Sequence, residues 1–355
     1  MRRVRSTTLV GLTIEPGRIA AARVSVNGSL RIEDGGWAEL EPSIVRDGEV
    51  AEPEPLAQAL RELWAQHPGL DKKLRIGVAN SRIVVRTLLL PPITDPKQLA
   101  AAVNFQATDA IPMPVADAVL DYHDVGLIDT PDGPRQRIIL VAARRDMIKE
   151  VLTAVRAAGL KPAAIDLSAF GMIRALQRQR RESDGPELFV SVGGLTNLAI
   201  SDRGVCAFTR VAGGGLESLA VDLAGRWELT TAQARTWISK VGLEGDLTQM
   251  AGDAKIAADA REILTVGVRR IATEVRASLD FQQGRVEHGS AVQHVVLTGP
   301  AVAVDGFGAA LQAELGLEVE PRVVTSTDDL NLGPLDAGCL SVAAGLAVES
   351  VVASA

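Results

Sequence analysis

Residues 188–209, LFVSVGGLTNLAISDRGVCAFT, carry the backbone chemistry that stands out in this chain. A run of apolar and β-branched residues enters Gly193-Gly194, resumes at Thr196-Asn197, turns at Asp202-Arg203-Gly204 and resumes again, which predicts three strands joined by two turns. Residues 8–32, TLVGLTIEPGRIAAARVSVNGSLRI, repeat the order with a break at Glu15-Pro16-Gly17 and a turn at Asn27-Gly28. Laid over one another, Ile14 falls on Val192, Gly17 on Leu195 and Asn27-Gly28 near Arg203-Gly204. A supersecondary unit used twice, half a chain apart, predicts two related lobes. A turn at the end of a strand can aim successive backbone N–H groups at an anion. Two such turns facing each other would make a phosphate clamp between the lobes.

The elements that must position these turns fit a chain of 355 residues, long enough for more than one unit. Apolar residues make up 47% and charged residues 23%, which predicts a globular protein with a sizeable core. Aromatic residues are only 3%, so Ala, Val, Leu and Gly must build that core. A net charge of −7 argues against a nucleic-acid surface. Cys206 and Cys339 have no metal spacing and read as small buried residues of a reducing compartment. The four histidines, His67, His123, His288 and His294, form no motif. The basic start MRRVR precedes an apolar run that stops at Glu15-Pro16, too short to span a bilayer. The last residues, AVESVVASA, contain no basic amphipathic helix, so no direct membrane insertion is expected.

Taken in order, residues 1–75 with 164–180 read as a first lobe. Its helix, from about Pro55 to Gln66, has Leu56, Ala59, Leu60 and Leu63 on one side. Residues 76–163 read as a small inserted unit of order β-β-α-β-β-α, its first strand at residues 75–79. Asp95-Pro96 is an N-cap followed by Pro, opening a helix over residues 97–109. Residues 178–186, RQRRESDGP, read as a solvated connection. Residues 188–215 with 290–350 read as the second lobe, including a strand into Thr298-Gly299-Pro300 and a final helix over residues 336–350. Residues 216–289 read as a mostly helical subdomain, with a helix start at Thr230 and a long helix over residues 260–283.

Several short segments then stand in a particular order: SIVRDGEV (43–50), SRIVVRTLLLP (81–91), VNFQATDAIPMP (103–114), AGLKPAAIDLSA (158–169), SVGGLTNL (191–198), FTRVAGG (208–214) and LTGPA (297–301). LVAAR (140–144) and SLDF (278–281) fall between them. In this order they resemble the PilM family, cytoplasmic actin-like proteins of type IV pilus and related secretion assemblies. The resemblance implies an α/β actin-like (Hsp70/FtsA-type) two-lobe fold, with the small β-β-α-β-β-α subdomain inserted in the first lobe. The helix ending in Ile111-Pro112-Met113-Pro114 sits in that insert, which the family shares with FtsA.

The same resemblance implies where a nucleotide site would be and how it has changed. Gly11, Thr13, Glu15 and Gly17 fall in the first phosphate turn, Ser191, Gly193, Gly194, Thr196 and Asn197 in the second, and Gly299 in the adenosine-side turn. Thr13 and Ser191 stand where the superfamily places aspartates for Mg²⁺, Glu15 where it places a glycine, and Ala20 where a basic residue is common. Mg²⁺ needs hard, charged oxygen ligands, which Thr13 and Ser191 do not supply. Glu15 would repel phosphates, and Pro300 removes a backbone N–H. A remnant nucleotide site is therefore expected, with no cofactor or only weakly bound ATP and Mg²⁺. The alternative is that Glu15 takes over Mg²⁺ and ATP turnover persists, with Asp166, at the end of an apolar strand, as the weak catalytic candidate. The resemblance further implies a partner: the N-terminal tail of the membrane protein PilN docks, in the family, between the first lobe and the insert. It places that groove around residues 82–90 and 97–109, with Arg82, Arg86, Phe105, Ile111 and Pro112 as candidates; simple core packing is the competing expectation for Phe105 and Ile111. Other pilus inner-membrane components and self-association are also implied, at the cytoplasmic face of the inner membrane. An FtsA-like cell-division filament is the remaining alternative, weakened by the lack of an amphipathic tail.

Overall fold

The computed structural model describes residues 9–177, 185–202, 204–283 and 291–349. The basic start, most of the expected connection at 178–186, Arg203, His288 and the last residues of the tail lie outside them.

The first lobe is built on β1 (Val10–Glu15), β2 (Arg18–Asn27), β3 (Ser29–Glu39), β6 (Lys73–Val78) and β10 (Lys161–Leu167), in the order β10-β6-β1-β2-β3. β4 (Val45–Arg46) and β5 (Glu49–Val50) form a small hairpin, and α1 (Pro53–Gln66) buries Leu56, Leu60 and Leu63. The second lobe is built on β11 (Glu187–Val192), β12 (Thr196–Asp202), β13 (Val205–Ala212), β14 (His294–Thr298) and β15 (Glu318–Pro321), in the order β13-β12-β11-β14-β15. In each sheet three antiparallel strands are extended by two parallel ones, so the duplication seen in the sequence is a duplication of topology. The first turn is two residues long, between paired Glu15 and Arg18; the second is three, between paired Val192 and Thr196.

The inserted unit is smaller than the expected β-β-α-β-β-α. It consists of β7 (Val84–Leu90), α2 (Pro96–Ala110), β8 (Ala118–Thr130) and β9 (Gly133–Arg144), with strand order β7-β9-β8. The strand assigned to its start is β6, which pairs in parallel with β1 and β10 because Leu74 and Ile76 are fully buried in the first lobe. The helix assigned to its end, α3 (Arg145–Ala157), packs on α1 and buries Met147, Val151 and Val155 in the same core. The Asp95 carboxylate accepts from the N–H groups of Lys97 and Gln98, so α2 starts as its sequence predicts.

Between the two sheets lie α4 (Ser168–Leu176) and α9 (Pro334–Leu346). The final helix was expected in the second lobe. It packs instead on β1, β2 and β3, and Leu340, Ala343 and Leu346 share one core with Leu12, Ile19 and Ile76. Phe189, Ala199 and Val296 from the second sheet reach the same core, which is therefore continuous across the lobes. Small residues make this possible: a Cβ on Gly345 would lie 1.8 Å from the Gly171 carbonyl, and one on Gly11 would lie 1.9 Å from the Ala343 carbonyl. The carbonyls left over at the helix ends are satisfied by arginines, Arg174 on Gly345 (3.0 Å), Arg75 on Leu346 (3.0 Å) and Arg322 on Leu176 (2.8 Å).

The rest of the second lobe is helical. It comprises α5 (Leu216–Trp227), α6 (Thr231–Val241), α7 (Ala254–Gln283) and α8 (Phe307–Leu315). Thr230 and Gln233 form the capping box that opens α6. α7 begins six residues earlier than expected, after Asp253 accepts from the N–H of Lys255.

Gly345→Val should cost about 3 kcal/mol or more in urea denaturation, because the backbone contact with Gly171 cannot accommodate a side chain. Gly225→Ala, at an open position of α5, should instead gain about 0.5–1 kcal/mol.

Candidate functional site

The two duplicated turns meet where the sequence places them, at the mouth of the cleft between the lobes. The Glu15 carboxylate accepts a hydrogen bond from the N–H of Gly194 at 3.2 Å. The Gly193 N–H is taken by Leu195 O (2.9 Å), and Gly193 O receives Leu216 N–H (2.8 Å). A Cβ on Gly194 would lie 2.0 Å from Pro16 O, and one on Gly193 would lie 2.6 Å from Glu15 Oε2 and 3.5 Å from Pro300 Cδ. Gly17, at φ 76°, leaves no room for a side chain because the Glu217 carboxylate is 2.2 Å from where its Cβ would be. The space between the turns thus holds the chain's own groups.

The other candidates divide between that space and the core. Thr13 is buried and donates its hydroxyl to Ala20 O (3.3 Å). Thr196 donates to Gly214 O (2.8 Å). Ser191, Asn197 and Thr298 are cross-strand neighbours, all buried, and Asn197 Oδ1 and Thr298 Oγ1 have no hydrogen-bond partner among the described residues. Gly299, at φ 83°, ends β14 against Ser191 and Val192. Gly11 is not part of the cleft; its missing side chain makes room for α9. Among the described residues no group of three or more His, Cys, Asp or Glu is arranged to hold a metal. Cys206 and Cys339 are free and buried, and burial pushes both thiols up to about 12.

Burial raises the Glu15 carboxyl above its ordinary value of 4.5, against smaller opposing effects from the Gly194 N–H and the Arg18 charge. Arg18 itself stacks over Trp37, 4.7 Å from the ring centre, and Trp37 donates to Asp336 (2.8 Å).

Sequence reasoning missed the strongest contact in the cleft. Arg235, on α6, holds Glu217 through two hydrogen bonds (2.8 and 2.7 Å) and reaches across to Glu39 (2.8 Å) and Leu40 O (2.7 Å) at the end of β3. It joins the helical part of the second lobe to the first lobe. Only contacts between residues about 195 positions apart reveal it, and no local pattern signals it. A cavity of about 250 Å³ remains beside these groups, lined by Gly17, Trp37, Gly194, Glu217 and Arg235 among others.

A second, larger cavity of about 710 Å³ lies elsewhere, between the first lobe and the inserted unit. β9 alternates: Ile138, Leu140 and Ala142 face α2, whereas Ile139, Val141 and Ala143 line this groove. Ile148 of α3, Ile165 and Leu167 of β10, and Phe170 of α4 complete its apolar part. The turn Gly204–Cys206 of the second lobe forms a further wall. Asp166 lies here, not in the interlobe cleft. It pairs with Arg174 at 2.6 Å and accepts from Leu167 N–H, which removes it as an acid or base near the two turns.

The residues expected around the groove are not brought together. Arg82 pairs with Glu49 at 2.5 Å, and Arg86 donates to Val85 O. Ile111 packs in the core of the inserted unit, and Pro112 is exposed. Phe105 is 75% exposed on the outer face of α2, contrary to the core packing also considered for it. None of the five lines the cavity, which opens on the opposite face of the sheet. The continuous apolar run IILVAA at residues 138–143 is the sequence signal for a strand buried on both faces.

Two sheets of identical topology enclosing a shared pair of helices define an actin-like fold. Similar solved structures include a PilM-PilN type IV pilus biogenesis complex (TM-score 0.78, 23% identity, 96% of this chain and 97% of that chain). They also include the ethanolamine utilization protein EutJ from Carboxydothermus hydrogenoformans (0.54, 17%, 98% and 91%) and MreB5 of Spiroplasma citri bound to ADP (0.51, 11%, 95% and 94%). No curated protein matches the chain. The family described as "Type IV pilus assembly protein PilM" matches residues 11–351. The chain belongs to that family.

Two outcomes follow from the cleft. Arg235→Met should cost about 2 kcal/mol in urea denaturation, less than a fully buried pair because Glu39 is partly solvated. For Glu15, the folded state holds its proton to higher pH than the unfolded state. Its contribution to stability therefore falls as pH rises through the interval from about 4.5 to the raised value. Glu15→Gln should be the more stable protein above that interval, and parallel denaturation curves across pH would show the two diverge.

Proposed function

We propose that the chain is a non-catalytic adaptor of a type IV pilus, or related secretion, assembly at the cytoplasmic face of the inner membrane. The observation that carries this reading is the filling of the interlobe cleft by the chain's own groups. The Glu15 carboxylate takes the Gly194 N–H that an incoming phosphate would need, and Pro16, Glu217 and Pro300 occupy the surrounding space. The donor set also does not suit Mg²⁺: Thr13 and Ser191 offer hydroxyls where charged oxygens are needed. Glu15 brings a carboxyl group, but it is aimed at the opposite turn, and burial there raises its pKa and so opposes its ionisation.

The partner surface is the 710 Å³ groove between the first lobe and the inserted unit. A PilM-PilN complex is among the similar structures, and the groove is a concave, mostly apolar site within the volume range of binding pockets. A PilN-like membrane protein would place its cytoplasmic N-terminal tail there. Among the described residues no helix is long and apolar enough to cross a membrane, so attachment through such a partner supplies the membrane contact.

Isothermal titration separates the two parts of this reading. Mg²⁺-ATP should give no heat with the purified protein, whereas a peptide of the PilN tail should bind with about micromolar strength. Val141→Glu should abolish the second without unfolding the protein. Micromolar binding of ATP would overturn the reading of a filled cleft and restore a nucleotide-gated adaptor.

A further inference from the structure

One end of the first-lobe sheet gathers positive charge in a chain whose net charge is −7. β1, β6 and β10 run parallel, with Val10 level with Leu74 and Lys73 level with Lys161, so all three strands enter the sheet at this end. Lys72, Lys73 and Lys161 are exposed there, and the Lys161 N–H donates to Lys72 O (2.8 Å), which holds the three side by side. Arg156, also exposed, stands in the last turn of α3 just ahead of β10. Among the described residues none of the four forms an ion pair. Asp71, exposed beside Lys72, and Glu349, which reaches Arg75 at 3.7 Å, share this end. The β2-β3 hairpin flanks it with charges that are already matched, Arg23 with Glu33, Arg31 with Asp328 and Asp34 with His67. The carbonyl ends of α1 and α3 point the same way and draw cations, which accounts for Arg156; Lys72, Lys73 and Lys161 lie past the last helical turns in sequence.

The residues ahead of β1 add to this charge. Leu9 donates its N–H to Ala347 O (3.1 Å), so the preceding MRRVRSTT joins the fold at the same end, with Arg5 four residues from Leu9. The strands that begin the second-lobe sheet carry the opposite sign: Glu187, Glu318 and Glu320 surround His294 and Arg322. The positive end therefore belongs to the first lobe alone. We propose that this end lies against an anionic bilayer, with Lys72, Lys73, Lys161 and the arginines of residues 1–8 on lipid phosphates and no part of the chain inserted. The choice of a bilayer rests on the proposed place at the inner membrane, whose cytoplasmic leaflet is negatively charged; the acidic chain as a whole disfavours nucleic acid. Each Lys or Arg held near such a surface raises partitioning about fivefold, and salt screens the attraction within a Debye length. Leu167, at the far end of β10, lines the groove, about 20 Å from Lys161. A tail anchored in the same bilayer covers that distance with about seven extended residues.

Flotation of the full chain with vesicles tests this. Vesicles of equal parts phosphatidylcholine and phosphatidylglycerol should carry the protein, pure phosphatidylcholine should not, and added salt should release it. Lys72→Gln with Lys161→Gln should lower partitioning about twentyfold, and Arg2→Gln with Arg3→Gln and Arg5→Gln by at least as much. Lys97→Gln with Lys255→Gln, exposed lysines on α2 and α7, should leave it unchanged. The variant lacking Lys72 and Lys161 should keep the wild-type affinity for a peptide of the PilN tail. A wild type that fails to bind that peptide yet floats with the anionic vesicles would sink the groove reading and support the bilayer face. No flotation with the mixed vesicles, equal flotation with neutral ones, or equal losses from the Lys97 and Lys72 variants would overturn the bilayer face. A loss confined to the arginine variant would overturn it as well, because the sheet end would then take no part.

Discussion

The rest of this structure depends on the contact of two helix backbones. Where α4 and α9 cross, Gly345 sits against the carbonyl of Gly171, closer than any side chain permits. That approach lets a single layer of helices serve both sheets, so that Phe189 of one lobe and Ile76 of the other border the same core. Hydrophobic burial then holds the lobes together along their length, independently of anything in the cleft. A chain with few aromatic residues suits this arrangement, because Ala, Gly and Val fill a thin layer that larger side chains would push apart.

Once the lobes are fixed in this way, their two strand-end turns must face each other, and something must satisfy the amides they carry. In this chain the answer is internal. Glu15 accepts from one of them, Leu195 from another, and the Pro16 carbonyl lies against Gly194. Holding a carboxylate there opposes its ionisation, and the Arg235 bridge from Glu217 to Glu39 and Leu40 ties the lobes together on the other side of the cleft. The facing turns are thus held by contacts within the chain, with a cavity of about 250 Å³ beside them, and the larger open space lies at the seam of the inserted unit.

Local physics was legible in the sequence where a pattern is carried by neighbouring residues. The duplicated strand-turn-strand unit, the Asp95 cap of α2 and the Thr230 start of α6 all follow from spacing along the chain. Residues such as Glu15 and Ser191 stood out through the family resemblance, as departures from the residues it implies at those places. Allegiance across the fold was not legible. β6 joins the first lobe although it adjoins the insert in sequence, and α9 returns to the first lobe from the far end of the chain. Both decisions are made by which apolar face finds a partner, and periodicity does not encode that. Phe105 reads as a core residue on type alone, yet its position on α2 turns it outward. The cavity on the far face of the insert was not legible because β9 is apolar on both sides, and only the packing of α2 shows which side remains open.

The groove has one more property, set by the turn Gly204–Cys206 that closes it. Its walls come from the first lobe, the insert and the second lobe together. A molecule seated there touches all three, so its affinity depends on the angle between them. By reciprocity, occupancy must bias that angle by the same free energy. Under the proposed docking the seam would be a mechanical coupling point: a pull on a seated tail would be a pull on the lobe arrangement, and a flexing of the lobes would alter the grip on the tail.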